Sequence, residues 1–274
     1  MIRTGYEVAV ARRGWRRPCP RRQYRPATCR DNQPVHALPE RPFPVSSSPA
    51  RTALEAIGSR ILNASNAAAR PVPARLLAVG KLHPASAIAA LADAGQRAFG
   101  ENYVQEAAGK IEALAGRDLE WHLIGHLQSN KARQAAALFD WVQTVDRLKL
   151  VDALAAHRPA ARGALNVLVQ VNIDDESSKH GCTPSEVPAL VAAVRAAPSL
   201  RLRGLMSIPA PHAEPERRRD AFVRMRRLFD TVAGQDPAID TLSMGMSDDL
   251  ELAIAEGATM VRVGSALFGA RPPR

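Results

Sequence analysis

From residue 51 onward, short apolar runs alternate with alanine-rich stretches of helical periodicity, and this alternation restricts the fold more than any other feature of the chain. The candidate strands are Leu76–Val79, Ala98–Gly100, Trp121–Ile124, Trp141–Thr144, Asn166–Val171, Arg201–Leu205, Thr241–Ser243 and Met260–Val263. The intervening helices are expected over Pro84–Ala94, Tyr103–Leu114, Asn130–Leu138, Leu148–Ala156, Pro184–Ala196, Glu216–Val232 and Asp248–Glu256. An additional amphipathic helix, Arg51–Ala68, precedes the first strand, with Leu54, Ile57, Ile61 and Leu62 on one face. Strand–helix alternation requires parallel strands joined by right-handed crossovers. Eight strands favour closure, so the predicted architecture is α/β: a single (β/α)8 TIM barrel with an extra N-terminal helix. The length of 274 residues suits it, because such barrels form one domain of roughly 250 residues. Their active sites lie at the C-terminal ends of the strands, so the side chains there are the ones to read.

The net charge of +10 raises the question of nucleic acid, but its distribution argues against a basic folded face. Residues 1–50 hold ten Arg against Glu7, Asp31 and Glu40, a net of +7, and eight of the 21 prolines. They lack periodicity and are expected to be a disordered Arg/Pro-rich extension, leaving 51–274 as the folded domain. No apolar h-region marks a signal peptide, and a transit peptide would be more clearly amphipathic. An extension without function, or a start codon assigned too far upstream, is the blander account. Cys19, Cys29 and Cys182 form neither a CxxC pair nor a disulfide framework, which fits a reducing, cytoplasmic setting. No run of about 18 uncharged apolar residues occurs, so no membrane span is expected.

Chemistry-bearing residues do fall at the predicted strand ends. Lys81 leaves the first apolar strand directly. Burial lowers a lysine's pKa readily, and a neutral amine attacks aldehydes, so Lys81 suits a Schiff base; the alternative is a surface lysine at a strand end. Asn102, after the second strand, either donates to a ligand oxygen or caps the next helix. His122 and His126 are four apart, but on a strand and its loop and without an HExxH, so no metal site is read there. His126, Gln128 and Asn130 are placed at the barrel mouth instead, with a helix N-cap the equal alternative for Asn130. Ser243-Met-Gly-Met-Ser-Asp-Asp249 brings small, flexible residues to the start of a helix, where backbone N–H groups can meet an anion. In the eighth strand Arg262 opposes Val261 and Val263. An arginine facing the barrel interior needs a polar partner, unless it reaches solvent at the strand end. Gly264-Ser265 adds a second small-residue turn, and the loops after strands seven and eight are the usual phosphate site of such barrels. Asn172, Asp174, Asp175, Lys179 and Gly181 read as a solvated loop, and Cys182 as an incidental thiol.

The segments Leu76-Leu-Ala-Val-Gly-Lys81, Phe99-Gly-Glu-Asn-Tyr-Val-Gln-Glu106, Trp121-His-Leu-Ile-Gly-His-Leu-Gln-Ser-Asn-Lys131, Gln170-Val-Asn-Ile173, Lys179-His-Gly181, Gly204-Leu-Met206, Leu242-Ser-Met-Gly-Met-Ser-Asp-Asp249, Val261-Arg-Val-Gly-Ser265 and Leu267-Phe-Gly269 run in order along the folded region. Together they resemble the pyridoxal 5′-phosphate (PLP) binding, or PLP homeostasis, family with its alanine-racemase-like N-terminal domain. The resemblance implies PLP as cofactor, with Lys81 forming the internal aldimine and Asn102 beside the ring. It implies Ser247, Gly264 and Ser265 at the phosphate, Met246 lining that loop, and Arg262 against the pyridine nitrogen. An arginine there disfavours ring protonation and weakens the ring as an electron sink. Two departures are small: Gly80 stands where the family often has Ser or Thr, and Ser265 where Thr is common.

Alanine racemases resemble this pattern but add a β-rich C-terminal domain and a tyrosine base from the partner subunit. Here the chain ends five residues after Gly269, and Tyr103 is the tyrosine remaining outside the first 50 residues. Two-base proton abstraction needs acid–base groups on both faces of the bound amino acid. The expected role is therefore a non-catalytic PLP carrier in intracellular PLP homeostasis. It would be a monomer with PLP-dependent apoenzymes as partners, with neither membrane nor nucleic acid among them. The rival is a weak amino-acid racemase using a mouth residue such as His126.

Overall fold

Val-, Leu- and Ala-rich runs of three to eight residues are too short for independent helices and bury well on both faces of a sheet. In the computed structural model, which describes residues 48–176, 179–210, 214–234 and 236–269, they form β1 (Arg75–Val79), β2 (Ala98–Glu101), β3 (Glu120–Leu123), β4 (Trp141–Val145), β5 (Leu165–Val171), β6 (Leu200–Ser207), β7 (Thr241–Ser243) and β8 (Met260–Val263). Each pairs in parallel with the next, and β8 closes on β1 through Leu77↔Arg262 and Ala78↔Val263. The outer helices are α1 (Pro49–Ala67), α2 (Ala85–Asp93), α3 (Val104–Ala113), α4 (Ala132–Leu138), α5 (Leu148–His157), α6 (Val187–Arg195), α7 (Pro215–Ala233), α8 (Leu250–Ala255) and α9 (Ser265–Phe268). Residues 1–47, the bulk of the expected extension, lie outside the described residues. Among the described residues no helix is long and apolar enough to cross a membrane.

Helix α1 starts at Pro49, two residues before the expected Arg51, because Ser48 and Pro49 supply the start signals. Ser48 accepts a hydrogen bond from Arg51 N, and Pro49 fills the first helical position, whose missing N–H costs nothing there. Ile57 and Ile61 are buried, whereas Leu62 is 47% exposed. This corrects the expected face: the stripe continues through Ser65, whose Oγ accepts from Ala74 N at 3.2 Å and fastens the helix end to the approach of β1. Helices α4 and α6 begin later than predicted because Ser129–Lys131 and Pro184–Glu186 form 3₁₀ turns. Thr183 and Glu186 complete a capping box at the second. Helix α8 begins at Leu250 and not Asp248, because Asp249 Oδ1 turns back to accept from Met246 N at 2.6 Å.

Strand alternation sorts the barrel into two compartments. Ala78, Phe99, Trp121, Leu123, Val142, Val167, Val169, Leu205, Leu242, Val261 and Val263 face the helices in one continuous core. The opposite face carries smaller apolar groups: Leu77, Val79, Ala98, Ile124 and Met260 form one, and Trp141, Leu168 and Met206 the other. The β5–β6 register slips between Val167 and Leu168, beside Gly204 at φ +142°. A Cβ at Gly204 would lie 2.0 Å from Thr241 O. Gly204→Ala is therefore expected to lower stability by about 2 kcal/mol or more, read as a shift in the denaturant midpoint; an unchanged midpoint would contradict this close approach.

Candidate functional site

Strand β1 ends at Val79, and residues 80–83 turn sharply before α2. Gly80 N donates to Gly100 O, His83 N donates to Gly80 O, and Leu82 takes a left-handed φ of +65°. A non-glycine residue in that region costs of order 1 kcal/mol or more and persists only where its surroundings impose it. They do so here. Glu106 Oε1 accepts from Leu82 N at 2.6 Å, and Lys110 Nζ donates to Gly80 O at 2.8 Å, so α3 grips the turn on both sides of Lys81. Lys110 also donates to Glu101 Oε1 and Glu106 Oε1, at 2.8 and 2.6 Å. Glu101 faces the helix layer and is fully buried. A Cβ at Gly80 would lie 2.7 Å from its Oε1 and 2.9 Å from Ile88 Cδ1, so glycine leaves both side chains in place.

Strand β8 hydrogen-bonds to β1, so the second small-residue turn comes beside the first. A Cβ on Gly264 would lie 3.3 Å from Val79 O, and His83 stacks on Phe268 of α9 with ring centroids 4.8 Å apart. Ser265 opens α9, and the N–H groups of a helix's first turn have no partner within the helix. The loop after β7 turns at Gly245, φ +88°, and presents exposed Met246 and half-buried Ser247. Helix α1 secures that loop: Arg60 donates to Ser247 O at 2.9 Å and forms a two-pronged pair with Glu251. Lys81, Met246 with Ser247, and Gly264 with Ser265 thus follow the neighbouring strands β1, β7 and β8.

Arg262 points into the barrel and is 4% exposed. It donates to Ser207 O and to Ser243 Oγ, both at 2.8 Å. The chain continues: Ser243 Oγ donates to Gln143 Oε1 at 2.7 Å, Gln143 Nε2 to His122 Nδ1 at 2.9 Å, and His122 Nε2 to Glu120 Oε1 at 2.5 Å. An ionised carboxylate only accepts, so Glu120 fixes the Nε2–H tautomer of His122 and, through it, the orientation of the Gln143 amide and the Ser243 hydroxyl. Burial lowers Arg262 to about 10, opposed by Asp249, and it stays charged at neutral pH. Burial likewise holds His122 below its ordinary value, opposed by Glu120.

Asn102 follows β2 and lines a cavity of about 380 Å³ with Tyr103, His126, Gln128, Lys131 and His180. The expected mouth placement holds for His126 and Gln128, whereas Asn130 lies exposed in the 3₁₀ turn and caps no helix. Asn102 Oδ1, Gln170 Oε1 and Ser207 Oγ are buried without a hydrogen-bond partner. Unsatisfied buried oxygens are costly, and their positions near the strand ends suit a polar ligand that donates hydrogen bonds. A larger cavity, about 760 Å³, lies between the β5 and β6 loops and α7, lined by Asp174, Glu176, Asp220 and Arg224. It holds none of the residues singled out at β1, β7 and β8. The loop after β5 is more structured than expected: Asp174 pairs with Arg224 at 2.7 Å and accepts from Ala210 N, and Lys179 donates to Pro209 O. Cys182 is buried, and burial pushes its thiol up to about 12.

Sequence reading missed Lys110, Gln143 and Ser207, and it gave Glu101 and Ser243 no such contacts. The Glu106–Lys110 spacing of four on a helix was a legible signal, as was a Gln inside an apolar strand. Burial raises the Glu101 carboxyl to about 7 against the opposing pull of Lys110. The unfolded chain releases that proton near 4.5, so the folded state binds more protons between the two values, and stability falls as pH rises across that window. Glu101→Gln should flatten the decline in thermal midpoint from about pH 4.5 to about pH 7. An identical slope in both proteins would assign the effect to another group.

Residues 53–272 match the family model described as alanine racemase, N-terminal domain. The pyridoxal phosphate homeostasis protein of Pseudomonas aeruginosa is 54% identical over 217 residues, covering 78% of this chain and 93% of the relative. That of Escherichia coli is 54% identical over 204 residues, covering 73% and 87%. Among solved structures, PipY of Synechococcus elongatus with PLP bound is 36% identical, with a TM-score of 0.68 over 80% of this chain and all of PipY. Alanine racemase of Corynebacterium glutamicum, 19% identical over 80% of this chain and 62% of its own, shares the fold with a TM-score of 0.60. With a family model across most of its length and relatives of this identity, the chain belongs to the pyridoxal phosphate homeostasis protein family, built on the alanine racemase N-terminal domain.

Proposed function

We propose that this protein binds PLP as a Schiff base on Lys81 and serves in intracellular PLP homeostasis as a carrier, without robust catalysis. The observation that carries the reading is the gripped turn: Lys81 sits between two backbone groups held by α3, beside the Gly264 turn and across one strand from the Ser247 loop. The names of the relatives and the PLP bound by PipY support the choice of ligand. When bound, PLP supplies an aldehyde carbon that condenses with an amine with loss of one water.

The chain's own residues have the following roles. Lys81 Nζ holds the cofactor covalently. Ser247, Gly264 and Ser265 receive the phosphate, with Met246 over that loop, because small residues and helix-start N–H groups suit a dianion. Asn102 lies beside the ring. Arg262, held by Ser207 and Ser243, presents a fixed positive charge to the ring nitrogen and keeps a proton off it. Racemisation would need a second base facing Lys81. Among the described residues the one tyrosine is Tyr103, 57% exposed and at the start of α3. The protein is read as a cytoplasmic monomer that passes PLP to apoenzymes, without membrane or nucleic-acid partners.

Full-length protein mixed with PLP should develop a visible absorbance band that Lys81→Ala lacks. A colourless wild type under excess PLP refutes the reading. A band that survives in Lys81→Ala moves the attachment to another amine. Separately, α-proton exchange of alanine by the PLP-loaded protein should stay near the rate of free PLP; fast exchange abolished by Lys81→Ala replaces the carrier with a racemase.

A further inference from the structure

Across the mouth from the Lys81 turn, three consecutive strands end in side chains able to ligate a metal. His126 follows β3, Asp146 follows β4, and His180 lies in the loop after β5. One donor atom from each lies within 4.8 Å of the other two, and His126 Nδ1 stands 3.7 Å from Asp146 Oδ2. No spacing in the sequence links them, because barrel closure alone brings the three loops together. We propose that His126, Asp146 and His180 form a binding site for a divalent transition metal of the Zn²⁺ class.

The supporting contacts are those expected around a metal site. Arg147 Nη1 donates to Asp146 Oδ1 at 2.5 Å, leaving Oδ2 toward His126. The same guanidinium donates to Leu127 O at 2.9 Å, and Thr144 Oγ1 donates to Gly125 O at 2.9 Å, so the backbone is pinned on both sides of His126. Gln170 Nε2 donates to His180 O at 2.9 Å. Such outer contacts orient ligands and commonly change metal affinity by about 10–100-fold. The imidazoles are stacked, with centroids 3.7 Å apart and planes at 15°.

Two imidazoles and one carboxylate select a borderline ion; Mg²⁺ and Ca²⁺ require oxygen donors. A tetrahedral ion with bonds of about 2.0–2.2 Å holds its donors roughly 3.4 Å apart. Reaching that from the present positions requires the two rings to turn out of their face-to-face stack. The fourth position opens into the 380 Å³ cavity that His126 and His180 share with Asn102 and Lys131. The site does not depend on the PLP reading, and neither outcome decides the other.

Tag-free full-length protein should take up one Zn²⁺ per chain in a calorimetric titration, and Zn²⁺ should raise its thermal midpoint. His126→Gln, Asp146→Asn and His180→Gln should each weaken binding by about tenfold or more, while His157→Gln on α5 leaves it unchanged. Thermal midpoints without metal confirm that each variant is folded. The proposal is overturned if wild type takes up no Zn²⁺, or if the three variants bind as wild type does; either result leaves a stacked, solvated histidine pair.

Discussion

A guanidinium inside the barrel is the constraint around which the rest of this structure is arranged. An unpaired buried charge costs many kcal/mol, and breaking a buried pair commonly costs about 3–5 kcal/mol. Arg262 avoids that cost through Ser207 O and Ser243 Oγ, and Ser243 is itself committed further along the interior, to Gln143. The apolar side chains left on that face, such as Leu77, Ala98, Leu168 and Met206, pack around a polar thread. His122 stacks on Trp141, and Arg203 covers that ring from outside at 4.7 Å while pairing with Asp240. The barrel is thus filled, not hollow, and its charge is aimed at the mouth.

The second constraint works from the helix layer. Glu101, Glu106 and Lys110 lie outside the barrel wall, yet they set the backbone on both sides of Lys81. The loop carrying Ser247 is likewise held from outside, by Arg60 of a helix that an eight-fold repeat does not require. Positioning from the outer layer leaves the inner faces of the strand ends free to differ in chemistry. On one side stand an amine and small-residue turns; on the other stand imidazoles and a carboxylate.

Much of this was legible in the sequence, for identifiable reasons. Strand order, closure and the mouth position of Lys81, Ser247 and Gly264 follow from period and connection rules that act locally. Arg262 announced itself as a charge between valines. What stayed hidden depends on long-range closure. Nothing in the sequence places Lys110 Nζ on Gly80 O, or brings Ser207, Ser243 and Gln143 together inside the barrel. His126, Asp146 and His180 are separated by twenty residues or more and meet only because β3, β4 and β5 are neighbours. Leu62 misled because hydrophobicity marked the α1 face, whereas the actual stripe runs through Ser65, chosen for its hydroxyl. The late start of α8 was likewise hidden, because an Asp that looks like a first-turn residue bends back to its own loop.

The interior thread from Arg262 to Glu120 also insulates. The hydrogens along it point toward the base of the barrel, a polarity imposed by the Glu120 carboxylate, which only accepts. A primary amide sits in the middle and does not readily trade protons along a chain. The line of contacts therefore conducts no hydrogen ions between the two ends of the molecule, although it spans them. Whatever proton traffic accompanies cofactor loading and release must enter and leave through the open end, where solvent stands.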